Sequence, residues 1–303
     1  MMDEFYMRDG KLIARNVWEE LIISIRKAVK EDLQEKEIAK KALMKELVRA
    51  VDERIPDAKF GVLFSGGVDS SLIALLLKKA GKDFTCYTLG FKDADTKEPE
   101  DLEFAQRAAD ELGLRIKTRT LDVNEAEALI KKTVKILGKE LNNVVNVGVG
   151  GVVLGCIEMA KQDGVKHLFS GLGSEEIFVG YHRHRLAEDR QAECWHGLIN
   201  MYERDLLRDA AVASGTGVQL LTPFLDEKLI ATAMRVPAKH KMNEESSKLI
   251  LREAAEELGL PKSISWRAKR AAQYGSRLDK AISKIARQKK FKYKKEYLKS
   301  LEN

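Results

Sequence analysis

One short stretch limits what this chain can fold into more than any other. The apolar run Lys59-Phe60-Gly61-Val62-Leu63-Phe64 leads directly into Ser65-Gly66-Gly67-Val68-Asp69-Ser70-Ser71. A run of that length bounded by Gly and Ser reads as a buried strand, and residues 68–79 behind it carry the apolar spacing of a helix. Two glycines at the turn let the backbone approach an anion closely, and the first N–H groups of the helix point at it. Ser65, Ser70 and Ser71 add hydroxyl donors, and the Asp69 carboxylate can hold a magnesium ion that bridges phosphates. No Gly-Lys-Ser/Thr follows, so this is a phosphate loop of another kind than the Walker type.

The alternation continues. Residues 84–89, 115–121 and 167–169 read as further strands, separated by helices at 100–112, 124–137 and about 151–162. Pro99 opens the first of these helices and Gly113 closes it. Strands alternating with helices form βαβ units, which predicts an α/β fold: a parallel sheet of about five strands flanked by helices. Before it come an extended piece at 5–15 with a turn at Asp9-Gly10 and two amphipathic helices at about 17–31 and 35–54. After Tyr181 the strand signal ends and helical spacing runs to the C-terminus. The expected organisation is an N-terminal extension over 1–55, an α/β core over 56–185 and a helical region over 186–303.

Composition excludes several classes. The chain has 303 residues, of which 44% are hydrophobic and 33% charged, as in a soluble globular protein. The longest nearly apolar run, 144–157, carries Asn146 and is too short to span a bilayer, so no membrane partner is expected. Met1-Met2-Asp3-Glu4-Phe5 lacks a secretory signal pattern. The three cysteines are far apart with no CxxC, against a disulfide frame, a zinc ribbon or a sulfur relay. These features place the protein in the cytoplasm. The net charge of +6 is concentrated in residues 280–299, where nine lysines and arginines face one acid, Glu296. Phe291, Tyr293 and Tyr297 interleave them, leaving a solvated lysine face and an RNA contact both open. His182 and His184 stand two apart without a further ligand cluster, which favours surface or phosphate contact over zinc. Trp18, Trp195 and Trp266 read as packing residues.

The Ser65–Ser71 loop resembles that of the N-type ATP pyrophosphatases, which cleave ATP between its α and β phosphates. The remaining motifs narrow the likeness to the asparagine synthetases. Ser170-Gly171-Leu172-Gly173-Ser174-Glu175-Glu176-Ile177-Phe178-Val179-Gly180-Tyr181 is similar to their second signature, SGxGxDExFxGY. Thr222-Pro223-Phe224-Leu225-Asp226 resembles their PFLD element, Lys248-Leu249-Ile250-Leu251-Arg252 their K-x-LLR helix, and Trp266-Arg267-Ala268-Lys269 their W-R-x-K loop. The likeness covers about residues 36–280. It is strongest to asparagine-synthetase-domain-containing proteins, through Gly180-Tyr181-His182-Arg183-His184-Arg185 and the run from Lys269 to Arg277.

The resemblance implies an ATP pyrophosphatase (adenine nucleotide α-hydrolase-like) fold and a site assembled as follows. Ser65, Gly66, Gly67, Val68, Asp69 and Ser70 would hold the phosphates of ATP, while backbone at Leu63, Leu89 and Gly171 would frame the adenosine. Asp69 and Glu175 would share Mg2+, and Lys269 would reach the α-phosphate. A carboxylate, from aspartate or another small-molecule acceptor, would attack the α-phosphorus, and ammonia would then displace AMP. Three departures are visible. The glutaminase cysteine exposed at the family's N-terminus has no counterpart at Met1-Met2-Asp3, so ammonia is expected free or from a separate glutaminase subunit. The family's SGEG glutamate is Leu172, which cannot relay a proton, leaving Glu176 or another group to do so. The magnesium aspartate is Glu175, one methylene longer. The segment Asn142-Asn143-Val144-Val145-Asn146-Val147-Gly148-Val149-Gly150-Gly151 is unlike the family's aspartate pocket and reads either as a different acceptor site or as a turn entering a buried helix. The alternatives to a ligase are an ATP-binding regulatory or scaffold protein and an RNA-modifying adenylating enzyme.

Overall fold

The computed structural model describes residues 3–93, 99–267 and 272–302, apart from the side chain of Gln273. A small hairpin, β1 (Met7–Arg8) and β2 (Lys11–Leu12), comes first. Asp9 and Gly10 both take positive φ at its turn (51° and 71°), the left-handed geometry that matches hairpin twist. The Asp3 carboxylate accepts from both their N–H groups.

The central sheet holds five parallel strands: β3 (Phe60–Leu63), β4 (Thr85–Phe91), β5 (Ile116–Leu121), β6 (His167–Phe169) and β7 (Gln219–Leu221). Their order is β5-β4-β3-β6-β7. The chain therefore winds outward from β3 in one direction and then restarts at β6 in the other. At such a reversal the two loops leaving the strand ends diverge, opening a crevice where α/β proteins bind ligands. The strand signal expected to end near Tyr181 resumes at β7. Three residues at a sheet edge are too few to display a period, so this strand had no legible pattern.

Alternation along the strands assigns side chains to two cores. Phe60, Val62, Cys86, Phe169 and Leu221 face one, which they share with helices Arg15–Ala28, Lys36–Asp52, Val68–Lys79, Glu100–Leu112, Arg190–Met201, Glu227–Arg235 and Leu249–Glu257. Tyr87, Leu89, Leu121, Leu168 and Leu220 face the other, covered by helices Val123–Leu141, Val144–Gln162 and Leu278–Gln288.

The helix expected at 151–162 begins earlier, at Val144, capped by Asn143, whose Oδ1 accepts from the Asn146 N–H at 2.9 Å. Glycine disfavours helix by propensity, but here it permits close packing. A Cβ on Gly155 would lie 2.2 Å from Leu89 Cδ2, and one on Gly151 would lie 2.6 Å from Leu278 Cδ2. Asn142 donates to the Leu298 carbonyl and to Glu302. Asn143 and Asn146 thus serve the helix cap, Asn142 ties down the C-terminal helix, and Gly151 permits close packing. At 19 residues the helix is long and apolar enough to cross a membrane by length and composition, yet most of it is buried within the fold.

The basic C-terminal segment is also part of the core. Leu278, Ala281, Ile282, Ile285 and Ala286 are buried, as are Tyr297 and Leu298 in helix Lys294–Lys299. Lys284 pairs with Asp93, Lys289 with Glu127 and Lys294 with Asp279. Truncation at Lys280 would strip a helix from the hydrophobic core, so it cannot isolate the role of the charges. Of the three tryptophans, Trp18 and Trp195 are buried, whereas Trp266 is 37% exposed.

Candidate active site

The expected binding residues sit at the reversal point. The loop after β3 carries Ser65 to Ser71, and the loop after β6 carries Ser170 to Tyr181. Gly66 turns at φ 66°, and a Cβ there would lie 2.7 Å from the Phe104 carbonyl oxygen, so the loop lies tightly on helix Glu100–Leu112. Ser70 Oγ accepts from the Ser65 N–H at 3.2 Å, closing the loop over the first turn of helix Val68–Lys79. The second loop meets the first through Gly171, whose missing Cβ would sit 3.0 Å from Asp69 Cβ. Leu63 ends β3, and Leu89 packs its side chain into the second core, leaving only its backbone for a ligand.

Asp69 and Glu175 are brought together by a residue not foreseen as part of the site, Lys248. Its Nζ lies 2.8 and 2.9 Å from the two oxygens of Asp69, 2.9 Å from Glu175 Oε1 and 3.0 Å from Ser174 Oγ. Lys248 is 2% exposed and takes the left-handed conformation (φ 56°) just before helix Leu249–Glu257, a strain of ~1–3 kcal/mol that its ion pairs offset. Gly180 makes room for this pairing. A Cβ there would lie 1.7 Å from Glu175 Oε2 and 2.6 Å from Lys248 Cε. Gly180→Ala is therefore expected to force the carboxylate and ammonium apart and to destabilise the fold by ~1–3 kcal/mol, read as a lower urea midpoint. A midpoint equal to wild type would show that the pairing is loose.

A second buried cation braces the phosphate loop. Arg267 donates to the Ser65 carbonyl at 2.7 Å and to Asp101 at 3.0 Å, with its guanidinium 3.8 Å above the Phe104 ring. Arg252 donates to the carbonyls of Ser247, Ser265 and Arg267, tying the K-x-LLR helix to the W-R-x-K loop. Lys269 lies outside the described residues. Lys248 and Arg267 stand inside the motifs quoted above, and their motif membership was the signal that could have marked them.

Glu176 points away from Asp69. It is 1% exposed and paired with Arg204, whose guanidinium also lies 5.0 Å from the Tyr181 ring, which has a second cation–π partner in Arg183 at 4.0 Å. Burial, with the nearby Asp205 carboxylate, pushes the Glu176 carboxyl up to about 7 against the pull of Arg204. Because that lies above its ordinary 4.5, the stability contributed by this carboxyl is full below pH 4.5 and is lost as pH rises to about 7. Glu176→Gln should remove this component, changing the slope of the stability–pH curve over that window in urea melts. An identical slope would contradict the shift. His184 accepts from the Tyr181 N–H through Nδ1 and is fully buried, which assigns it to capping helix His182–Leu186 rather than to a surface or phosphate contact. Leu172 packs against the first core.

Asp226 of the PFLD element proves to be structural. It caps helix Glu227–Arg235 and pairs with Arg49 and Arg54, and Arg54 in turn holds buried Glu4. Arg49 and Arg54 keep the Asp226 carboxyl below the usual range despite its burial.

Asp69, Glu175 and Ser174 present hard oxygen donors to one cationic point, a donor set that suits magnesium. No group of three or more His, Cys, Asp or Glu side chains placed to hold a metal occurs among the described residues, so such an ion would complete its shell with phosphate and water, as magnesium commonly does.

A parallel sheet of order β5-β4-β3-β6-β7, with a glycine-rich loop and a carboxylate-bearing loop meeting at its reversal point, places the chain among the α/β proteins. The chain belongs to the asparagine synthase family, whose model matches residues 42–197 and 187–297. It is 33% identical over 298 residues to a Methanocaldococcus jannaschii protein that carries the name of a glutamine-hydrolyzing asparagine synthetase 1, covering 86% of this chain and 53% of that one. Asparagine synthetase B of Escherichia coli is 29% identical over 261 residues, covering 80% and 45%. The human asparagine synthetase is 29% identical over 238 residues, covering 75% and 41%. The chain thus spans about half the length of the curated relatives it matches. Among solved structures, NMN synthetase from Francisella tularensis aligns over 88% of this chain and 93% of its own with a TM-score of 0.42 and 15% identity.

Proposed function

We propose that this chain is an ATP-dependent amide-forming ligase that adenylates a carboxylate and transfers the acyl group to ammonia. The observation that carries the reading is the convergence of Asp69 and Glu175, from the loops after β3 and β6, on one cation beside the phosphate loop. Ser65, Gly66, Gly67, Val68, Asp69 and Ser70 would cradle the phosphates through N–H and hydroxyl donors, and the backbone of Leu63, Leu89 and Gly171 would frame the adenosine. Asp69 and Glu175 would hold Mg2+, which when bound neutralises charge on the departing pyrophosphate. Lys269 would stabilise negative charge at the α-phosphate. An acceptor carboxylate oxygen forms a bond to the α-phosphorus as the bond to pyrophosphate breaks. The nitrogen of ammonia then attacks the acyl carbon, loses a proton and expels AMP. Glu176, sealed behind Arg204, acts as a positioning residue that holds the Glu175 loop.

Nitrogen enters this scheme as ammonia because no cysteine of the chain is suited to nucleophilic attack. Cys86, Cys156 and Cys194 are all buried, and burial pushes each thiol up, Cys156 to about 12. Aspartate is the acceptor suggested by the names of the relatives.

The test is release of labelled AMP from α-labelled ATP with magnesium, comparing no acceptor, aspartate with ammonium, and bulk tRNA with ammonium. AMP and pyrophosphate in equal amounts, dependent on aspartate, are expected. Dependence on tRNA instead would replace the ligase reading with RNA adenylation. No AMP from a protein that binds ATP would leave a nucleotide-binding protein without amide synthesis.

A further inference from the structure

We propose that Lys248 is a built-in counter-cation for the metal carboxylates, so that a divalent ion and ATP bind as a coupled pair and the ion alone is held off. The inference rests on the reading above that Asp69 and Glu175 hold the ion. Asp69 is buried and Glu175 half-buried, and two carboxylates set side by side repel each other unless positive charge lies between them. Lys248 supplies it from within the chain, matching its three N–H donors to Asp69, Glu175 and Ser174. Gly180 is the clearance that allows the fit. The Arg252 guanidinium, itself largely buried, adds a second positive charge that interacts with both carboxylates.

A divalent cation approaching the same oxygens meets an ammonium already in contact with them, in a setting that screens repulsion poorly. Alone, it must dislodge a buried lysine whose donors are satisfied. Arriving with a triphosphate, it brings phosphate oxygens to which Lys248 can turn while the carboxylates pass to the metal. Nucleotide and metal affinities are then linked, and each raises the other by the same factor.

Mn2+ titrations of the full chain, followed by the electron paramagnetic resonance of free ion and referred to the same titrations of the nucleotide without protein, test this with and without α,β-methylene ATP. Wild type should bind Mn2+ roughly 10- to 100-fold more tightly with the nucleotide. Lys248→Met should bind Mn2+ without nucleotide more tightly than wild type does, so that the gain on adding the nucleotide shrinks to what direct phosphate ligation supplies. Lys248→Gln, which keeps a donor, guards against misfolding: Mg2+ alone should raise its melting temperature and leave that of wild type unchanged. Equal Mn2+ affinity with and without nucleotide in wild type would overturn the proposal, as would unchanged nucleotide-free affinity in both variants. Mn2+ binding that survives Asp69→Asn in the Lys248→Met background would also overturn it, since the ion would then sit elsewhere. Nucleotide binding measured in the same samples separates the failures. If the analogue binds and Mn2+ is indifferent to it, only the lysine exchange falls; if the analogue does not bind, the nucleotide reading falls and the exchange with it.

Discussion

Asp69→Asn is expected to lower acceptor-dependent AMP formation by roughly 10²–10³-fold while the protein stays folded. The substitution keeps the shape of the side chain and removes its charge, so it weakens the hold on the metal and on Lys248 together. The fold should tolerate this because Lys248 retains Glu175 and Ser174. The measurement is the rate of labelled AMP release at saturating ATP, beside a urea melt of the same sample. A rate within a few-fold of wild type would remove Asp69 from the chemistry, and with it the reading of both loops as one site. A collapsed fold would instead show that the pairing is chiefly structural.

The second large effect concerns stability. Arg54→Met is expected to destabilise the fold by ~3–5 kcal/mol, because removing one partner leaves a buried charge uncompensated. Glu4 is 3% exposed and accepts from both Arg54 and Thr222, at 3.1 and 3.0 Å respectively, so it has little water to turn to. Arg54 also reaches Asp226 and the Ala50 carbonyl, so one guanidinium links the N-terminal extension, helix Lys36–Asp52 and the PFLD element. The urea midpoint is the readout. The Glu4→Gln/Arg54→Met double variant should recover part of the loss, as a coupled pair requires. A loss below about 1 kcal/mol in the single variant would place these charges in the weak class of exposed ion pairs. AMP formation per folded molecule should not change, since Arg54 pairs with Glu4 and Asp226 and not with Asp69, Glu175 or Lys248.

These two experiments divide the motifs that carry the family likeness. Ser65 to Ser71 and Ser170 to Tyr181 meet at the sheet's reversal point, where chemistry can occur. Thr222 to Asp226, equally recognisable as a motif, joins helices instead. A motif marks what a family retains, and packing geometry can be retained as firmly as catalysis. The K-x-LLR element does both: Arg252 ties backbone carbonyls together and Lys248 enters the site.

The chain's local patterns by themselves determined the alternating architecture, the turn at Asp9-Gly10 and the glycine-rich loop with Asp69, whereas the second loop with Glu175 was marked only by its likeness to a family signature. Each depends on residues close in sequence: apolar runs set strand or helix period, and glycines set where the backbone can turn. The early start of helix Val144–Gln162 was hidden because its glycines oppose helix locally and are favoured only by what packs on them. Only the tertiary structure decided that Lys248, 179 residues from Asp69, would neutralise it. It also decided that Glu176 would turn away to Arg204, that Asp226 would brace helices, and that a lysine-rich segment would bury one face against the sheet's second core. Such pairings leave no periodic trace along the chain. They arise when distant elements pack, and a charge shut away from water must then be met by whichever opposite charge the fold brings within reach.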